Sequence, residues 1–552
     1  MEAPRKSGVA PLQAPSWFGS GHRQLLALVL LLAVPAQLAG QDTLATPVPP
    51  RRVSLIIIER ENVFGRGEAR DFVSKLVNRM HATTRLSTIR RELLFRAGEP
   101  FDSARAAESE RNLRRLGVFR SVSIDTVQRG DGVVVRVRTA DGWSTKPDFR
   151  FRSTGGQITY TAALEETNLL GTASQAGIRY RKTPDRSSVL LHFRRPRLVA
   201  GRVGIDLQYD DRSDGRLYFA QINQPFFSLS SPFAFRADID HREERILRYY
   251  QGEARARDTL QRRFTLAGAA ASWAITAGSG GYLRWGVQGQ LRREDYVLDG
   301  AAGPIPVTWT GAVGPYLHWR RARFVVSRGF QGVGRSEDVD VSTTILGGVM
   351  FAPQALGYEA DGLATFFSGR TGGVSRHGFG YLDLNASAMF SATGVDSASV
   401  HAAVTWTFQT GARYLAVVHG AVGAQHNPRP GQEFDLGLGL GPRASQIHAF
   451  TGNRAFFLSG EYRYNVADEV LNLTGMGVAA FVDYGGAWYQ GSGVRTGLQA
   501  GIGLRLTSSR SARLEATRID LARRFPTGSD PGGWAIVIGK GFPFSSNGRL
   551  DG

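Results

Sequence analysis

The sequence predicts a mainly β protein, a transmembrane antiparallel β-barrel of about 16 strands preceded by one small α+β domain, and three observations carry that expectation. First, the C-terminal region runs as AFFLSGEYRY, GMGVAAFVDYGGAWYQ, RTGLQAGIGLRLTS, ARLEATRIDLARR and GWAIVIGKGF, each alternating apolar and polar residues, with Gly-, Ser-, Pro- and Asp-rich turns between them. A strand that crosses a bilayer needs roughly 9–11 residues, one face to lipid and one to the lumen. Second, hydrophobic residues make up 42% of the chain, yet beyond the N-terminal region no run approaches the ~18 consecutive apolar residues of a membrane helix. A chain that spans a membrane without such helices must close its sheet, so that every backbone amide pairs between strands. Third, the one long apolar run, Leu25 to Gly40, follows Arg5, Lys6 and Arg23 and ends in small residues. That is the pattern of a secretory signal; the alternative is a membrane anchor, for which the run is short and followed by polar sequence.

Composition narrows the class further. At 552 residues the chain exceeds one small domain, and it holds 67 Gly and no Cys. A disulfide scaffold, a thiolate metal site and a lipid-modified cysteine anchor are thereby excluded. The net charge of +19, from 67 Lys+Arg against 48 Asp+Glu, is spread along the chain rather than massed in one stripe. It reads as a basic periplasmic face and lumen, and no nucleic-acid partner is expected.

Taken in order, residues 1–40 form the expected signal peptide, cleaved between Ala36 and Gln41, and residues 41–50 (QDTLATPVPP) a linker. Residues 51–143 form a compact unit. RRVSLIIIER is a strand. LSTIRRELLF is a helix with Leu86, Ile89, Leu93 and Leu94 at helical spacing. Ser103 to Leu116 is a second helix, capped by Asp102 or Ser103 and stopped by Gly117. VFRSVSIDTV and DGVVVRVRTA are strands joined by a hairpin turn. The resulting small sheet carries two helices on one face around one core. An additional segment, with Phe72, Val73, Leu76, Val77 and Met80 at helical spacing, is expected to pack as an extra helix on that core, the alternative being a partner-docking helix.

From residue 146 to 542 the pattern is strand and turn, and residues 543–552 form a tail. In RVGIDLQYD, PFAFRADID and YLRWGVQGQLRR, apolar residues alternate with Asp, Gln and Arg. Charges placed so regularly on one face suit a wet interior, whereas a soluble sandwich would bury its apolar face on a second sheet. Nearly 400 residues at roughly 25 per strand plus turn give the expected strand count.

Two regions resemble a known family. IRRELLFRAGEPFDSARAAESERNLRRLGVFRSVSI resembles a POTRA domain, the periplasmic module of outer-membrane assembly and secretion barrels, through Arg91-Glu92-Leu93, Gly98-Glu99, Asn112-Leu113 and Leu116-Gly117-Val118-Phe119. One such unit is present. LEETNLLGTASQAGIRY resembles the early hairpin of the bacterial surface antigen, or BamA/TamA-type, barrels. FDLGLGLGPRASQIHAFTGNRAFFLSGEYRY resembles that family's long sixth-loop segment, whose Arg-Gly-aromatic tip folds back into the lumen. Spacing from Gly452-Asn453 places Arg443 at the tip arginine, although Ala444 and Ser445 follow it in place of Gly and an aromatic. FVDYGGAWY matches the family's Val-Asp-x-Gly strand at Asp483 and Gly485, and VIGKGF resembles its closing signal strand, with Gly539 and Phe542.

The resemblance implies a lumen lock at Arg443 with Asp483 in the network that receives it; the plain alternatives are an exposed loop arginine and an ordinary inward polar residue. A desolvated guanidinium needs a carboxylate or carbonyl partner in either case. No catalytic constellation is legible. Glu165 and Glu166 are adjacent and point to opposite faces of a strand. The ten His are scattered, and the GLGLG run from Gly437 to Gly441 lacks the spacing of a phosphate loop. No enzyme activity, metal or cofactor is expected. The expected role is outer-membrane protein assembly, insertion or translocation, with unfolded outer-membrane or secreted clients, periplasmic accessory proteins and outer-membrane lipid as partners. The alternatives are a two-partner-type secretion pore for one passenger and a passive channel or structural barrel. The expected location is the outer membrane of a Gram-negative-type cell, with the small domain in the periplasm.

Overall fold

The computed structural model describes residues 51–540 apart from 66–71, 131, 155–156, 199–201, 230, 248, 251–252, 255–258, 279, 299–308, 335, 438–440, 472, 511–515 and 528–530. The signal peptide, the linker, Phe542 and the tail lie outside the described residues.

The N-terminal unit runs β1 (Arg52–Glu61), α1 (Phe72–Met80), α2 (Leu86–Glu92), α3 (Ser103–Arg115), β2 (Phe119–Arg129) and β3 (Gly132–Asp141). Its sheet has the order β1-β3-β2, with β1 parallel and β2 antiparallel to the central strand. Asp102 caps α3, accepting from the amides of Ala104 and Arg105, as its short side-chain acceptor suits an N-cap. Ile89, Leu93, Phe95 and Leu113 from the helical side pack on Val53, Val122, Val135 and Val137 of the sheet. Of the stripe on the extra helix, Phe72 is 78% and Leu76 42% exposed, so these two do not join the core that α2 and α3 cover.

Among the described residues, 20 strands from Thr145 onward form a closed antiparallel barrel, which corrects the expected count of about 16. The difference lies in the turns. Pairs such as Arg212↔Gly215, Ser375↔Gly378 and Ser391↔Gly394 are joined by two residues only, so the chain spends less per strand than the average assumed. The alternation holds as expected. Arg284 is buried inside while Trp285, Val287 and Leu291 are exposed outside.

Aromatic residues gather at both ends of the outer surface. Phe233, Trp273 and Trp285 form a row at the end that carries the N-terminal unit, with ring centroids 5.5 and 5.0 Å apart. Exposed Trp309, Phe351, Phe390 and Trp534 lie near the opposite end. An apolar outer band between two aromatic girdles is the surface of a membrane-spanning barrel.

Two features of the barrel bear on function. β4 (Thr145–Thr154) runs away from the small domain, and the Asn-Leu-Leu-Gly-Thr turn after β5 (Gln157–Leu169) comes back to it. There the carbonyl of Gly171 accepts from the amide of Arg85 at 2.9 Å and Asn168 donates to Thr84 Oγ1 at 2.9 Å. Gly171 has φ +71°, and a Cβ on it would sit 2.5 Å from the Thr83 carbonyl, so glycine is the residue this contact allows. The second feature is the closure itself. The strand Gly533–Lys540 pairs with β4 over four residue pairs, Phe151↔Ile538 to Thr154↔Ala535. It pairs with its other neighbour over eight, and β4 with β5 over ten.

Candidate functional site

The chain between the strands Tyr414–His426 and Arg454–Val470 folds into the lumen. Two short pieces, Phe434–Leu436 and Phe450–Gly452, pair antiparallel and hold it in shape. Leu436 and Phe450 are buried together with Ala487 on the barrel wall. Between these pieces the chain presents Arg443, only 3% exposed.

The receiving wall is built by period 2. Ser459, Glu461 and Arg463 are alternate inward residues of one strand; Phe481 and Asp483 come from the next, Gln499 and Arg505 from the third, Arg518 and Asp520 from the fourth. Arg443 forks onto Asp483, Nε at 2.7 Å and Nη2 at 3.0 Å, and its backbone amide donates to the same carboxylate at 3.1 Å. Its Nη1 reaches Glu461 at 2.6 Å. The Phe481 ring lies 3.8 Å from the guanidinium carbon. Beside it, the amide of Ala444 donates to Gln499 at 2.7 Å, and Gln499 donates to Ser445 Oγ at 2.6 Å. So Ala444 and Ser445, the departures from the family tip, are both fully buried and seated, and the aromatic contact to the arginine comes from the wall.

Glu461 is shared. Its other oxygen accepts from Arg463 Nε at 2.7 Å, and Arg505 bridges it to Asp520 at 3.1 and 2.6 Å. Gly503 opens the space for this: a Cβ there would lie 2.1 Å from Asp520 Oδ1. Ions this buried are stable only while each is paired.

Arg463 also reaches a second insert that sequence reasoning missed. Between the strands Trp309–Arg321 and Thr343–Ala352, at the end that carries the small domain, a hairpin of Phe324–Arg328 and Ser336–Asp340 turns inward. Its tip carbonyl, Phe330, accepts from Arg463 Nη1 at 2.8 Å, and the amide of Val333 donates to Thr507 at 3.0 Å. The lumen is therefore entered from both ends, and the two inserts meet through Glu461 and Arg463. The hairpin is tied to the domain in turn: Arg114 of α3 pairs with Asp338, and Arg111 lies over Phe324.

At the far end the lumen insert is held by His448. Its Nε2 is 2.6 Å from Asp185, its Nδ1 faces Asp435, and its ring stacks on Tyr249 at 3.6 Å between centroids. Burial alone would lower its pKa, but the bonds to Asp185 and Asp435 outweigh it and raise the imidazole to about 9. Near the closure, Arg152 of β4 donates to the Gly437 carbonyl of the insert and Gln157 of β5 accepts from the amide of Ile447 at 2.9 Å.

The structure brings Arg443 and Asp483 together and leaves the other named residues elsewhere. Gly452 and Asn453 stand at the root of the insert, where Asn453 accepts from the amide of Gln490 at 2.8 Å and a Cβ on Gly452 would meet the Trp488 backbone at 2.0 Å. Gly485 pairs with Phe457 two residues along from Asp483. Gly539, on the closing strand, stands opposite Arg518 at the edge of the receiving wall, and a Cβ on it would lie 3.3 Å from Arg518 Nε. Glu461 was present in the Glu-Tyr-Arg strand of the family pattern, but nothing local distinguishes it from any other inward carboxylate.

Fold and site together define a membrane-spanning antiparallel barrel whose lumen holds two inserts joined by an arginine-centred ionic network. No family model matches the chain, and no curated protein matches its sequence. Among solved structures it is similar to CdiB from Escherichia coli (TM-score 0.44, 12% identity, covering 94% of this chain and 96% of that one). It is similar also to BamA from Haemophilus ducreyi lacking POTRA domains 1–3 (0.39, 12%, 89% and 85%) and to CdiB from Acinetobacter baumannii (0.40, 11%, 89% and 74%).

Proposed function

We propose that this chain is an outer-membrane factor that assembles, inserts or translocates other proteins, working at the junction between β4 and the closing strand. The observation that carries this reading is the shortness of that junction. Four residue pairs make about four backbone hydrogen bonds, on the order of 4 kcal/mol net, against roughly twice that at the neighbouring pairings. A client strand that offers its own backbone to the freed edge replaces those bonds as they break, which is strand augmentation applied to a barrel.

The N-terminal unit, which the sequence likens to a POTRA domain, supplies a second docking surface. Its sheet ends in β1 and β2, and Leu55 and Val127 on these edge strands are exposed. In this reading it stands in the periplasm and receives unfolded clients or accessory proteins there. The lock bears on the choice between routes. A passive channel or a secretion pore requires both lumen inserts to withdraw, whereas release at the junction requires only four residue pairs to part.

The test is depletion of the protein in its host with quantitative proteomics of the outer-membrane and secreted fractions. Loss of many barrel proteins from the membrane supports assembly. Loss of one secreted protein supports a dedicated exporter, and unchanged fractions contradict both.

A further inference from the structure

Between the small domain and the barrel lies a cleft of about 550 Å³ lined by Arg90, Arg91, Arg96 and Arg105 from one side and Arg202 from the other. These five guanidiniums face one lining carboxylate, Glu99, which pairs with Arg105 at 3.5 Å. Among the described residues, Arg90, Arg91, Arg96 and Arg202 form no ion pair. Arg90 and Arg91 end α2, where a cation suits the helix dipole. Arg96 and Arg202 have no such reason to be there. Burial, and then Arg197, hold the Arg202 guanidinium below its usual pKa, with Glu92 opposing and Arg96 adding to the depression. Cations gathered at a mutual cost without partners are a surface waiting for an anion.

The walls are fixed before anything binds. Asn112 of α3 donates to the Phe227 carbonyl at 2.9 Å, Glu108 accepts from the amide of Leu229 at 2.6 Å, and Arg197 pairs with Glu92 at 3.1 Å. The Arg202 guanidinium carbon lies 3.1 Å from the centre of the Phe227 ring, a contact that holds the group in the cleft without using its N–H donors. Leu94, Phe95 and Phe227 supply an apolar wall beside the charges.

We infer that this cleft binds a phosphate-bearing anion, either the headgroup of an anionic lipid or a soluble phosphate ester. A multiply charged tetrahedral oxyanion matches several guanidinium forks at once. The apolar wall, and the aromatic row at this same end of the barrel, favour the lipid. Bound there, the anion would join the domain to the barrel residues Arg202 and Phe227 and stiffen the angle at which clients are presented.

The test uses the full-length, delipidated protein. Phosphatidylglycerol and diacylglycerol are compared by native mass spectrometry, and glycerol 3-phosphate by thermal shift. Arg96→Gln with Arg202→Gln is expected to weaken phosphatidylglycerol binding about tenfold. A charge-matched control at the far end of the barrel, Arg216→Gln with Arg263→Gln, leaves it unchanged. Arg91→Gln, at an exposed helix end, weakens binding about threefold without threatening the fold. Retention of phosphatidylglycerol alone identifies a lipid site, and a shift with glycerol 3-phosphate as well identifies a general phosphate-ester site. Equal binding by the cleft variants and the control, equal retention of diacylglycerol, or no binding of either phosphate compound overturns the inference.

Discussion

Asp483 accepts three hydrogen bonds from Arg443, two from the guanidinium at 2.7 and 3.0 Å and one from the backbone amide at 3.1 Å. The carboxylate thus fixes the position of the insert's main chain as well as the charge it carries. Arg443→Ala would leave Asp483 and Glu461 buried with fewer counter-charges, at a cost of about 3–5 kcal/mol. Arg443→Lys keeps the charge but loses the fork and should fall between the two. The measurement is the temperature at which the folded barrel band disappears on a semi-native gel. In a double-mutant cycle with Asp483→Ala, the paired loss should be smaller than the sum of the single losses.

Glu461 joins the two lumen inserts, one oxygen on Arg443 and the other on Arg463. Glu461→Gln keeps the shape and removes the charge that both arginines need. Single-channel recordings in planar bilayers should show brief openings in Glu461→Gln that the parent protein lacks. Indistinguishable traces would mean that the inserts hold independently of this carboxylate.

The His448 clamp sets a pH dependence. Its folded pKa of about 9 lies above the ordinary value of 6.5, so its stabilisation is complete below about pH 6.5 and fades as pH rises through 9. The full contribution is on the order of 3 kcal/mol. The facing groups are Asp185, Asp435 and Tyr249, with Arg186 nearby. Thermal stability should fall between pH 7 and 10 in the parent and be flatter in His448→Gln. A parallel fall in both would assign the loss to other groups.

Much of this was legible along the chain. Period 2 with Gly- and Asp-rich turns identified the barrel, because lipid and lumen impose opposite demands on alternate residues. The strand number was not, since alternation fixes each strand but not the length of the turns between them. Arg443 and Asp483 could be placed by spacing within motifs. The Phe324–Asp340 hairpin could not, because its two strands are only five residues each and sit inside a long stretch of strand and turn. Nor could the His448–Asp185 contact, whose partners stand 263 residues apart with no local signal in either. For α1 the helical stripe was real, but periodicity cannot say that α2 and α3 already cover the sheet.

The central claim is that the protein works by parting β4 from the closing strand. The chain has no cysteine, so Ser153→Cys with Ile536→Cys places a lone pair of thiols at directly opposed positions of that junction. The direct measurement is the amount of folded outer-membrane barrel protein in a strain that depends on this variant, with the pair oxidised and then reduced. The oxidised lock should stop client assembly, and a reductant should restore it. Full assembly with the junction quantitatively cross-linked would contradict it.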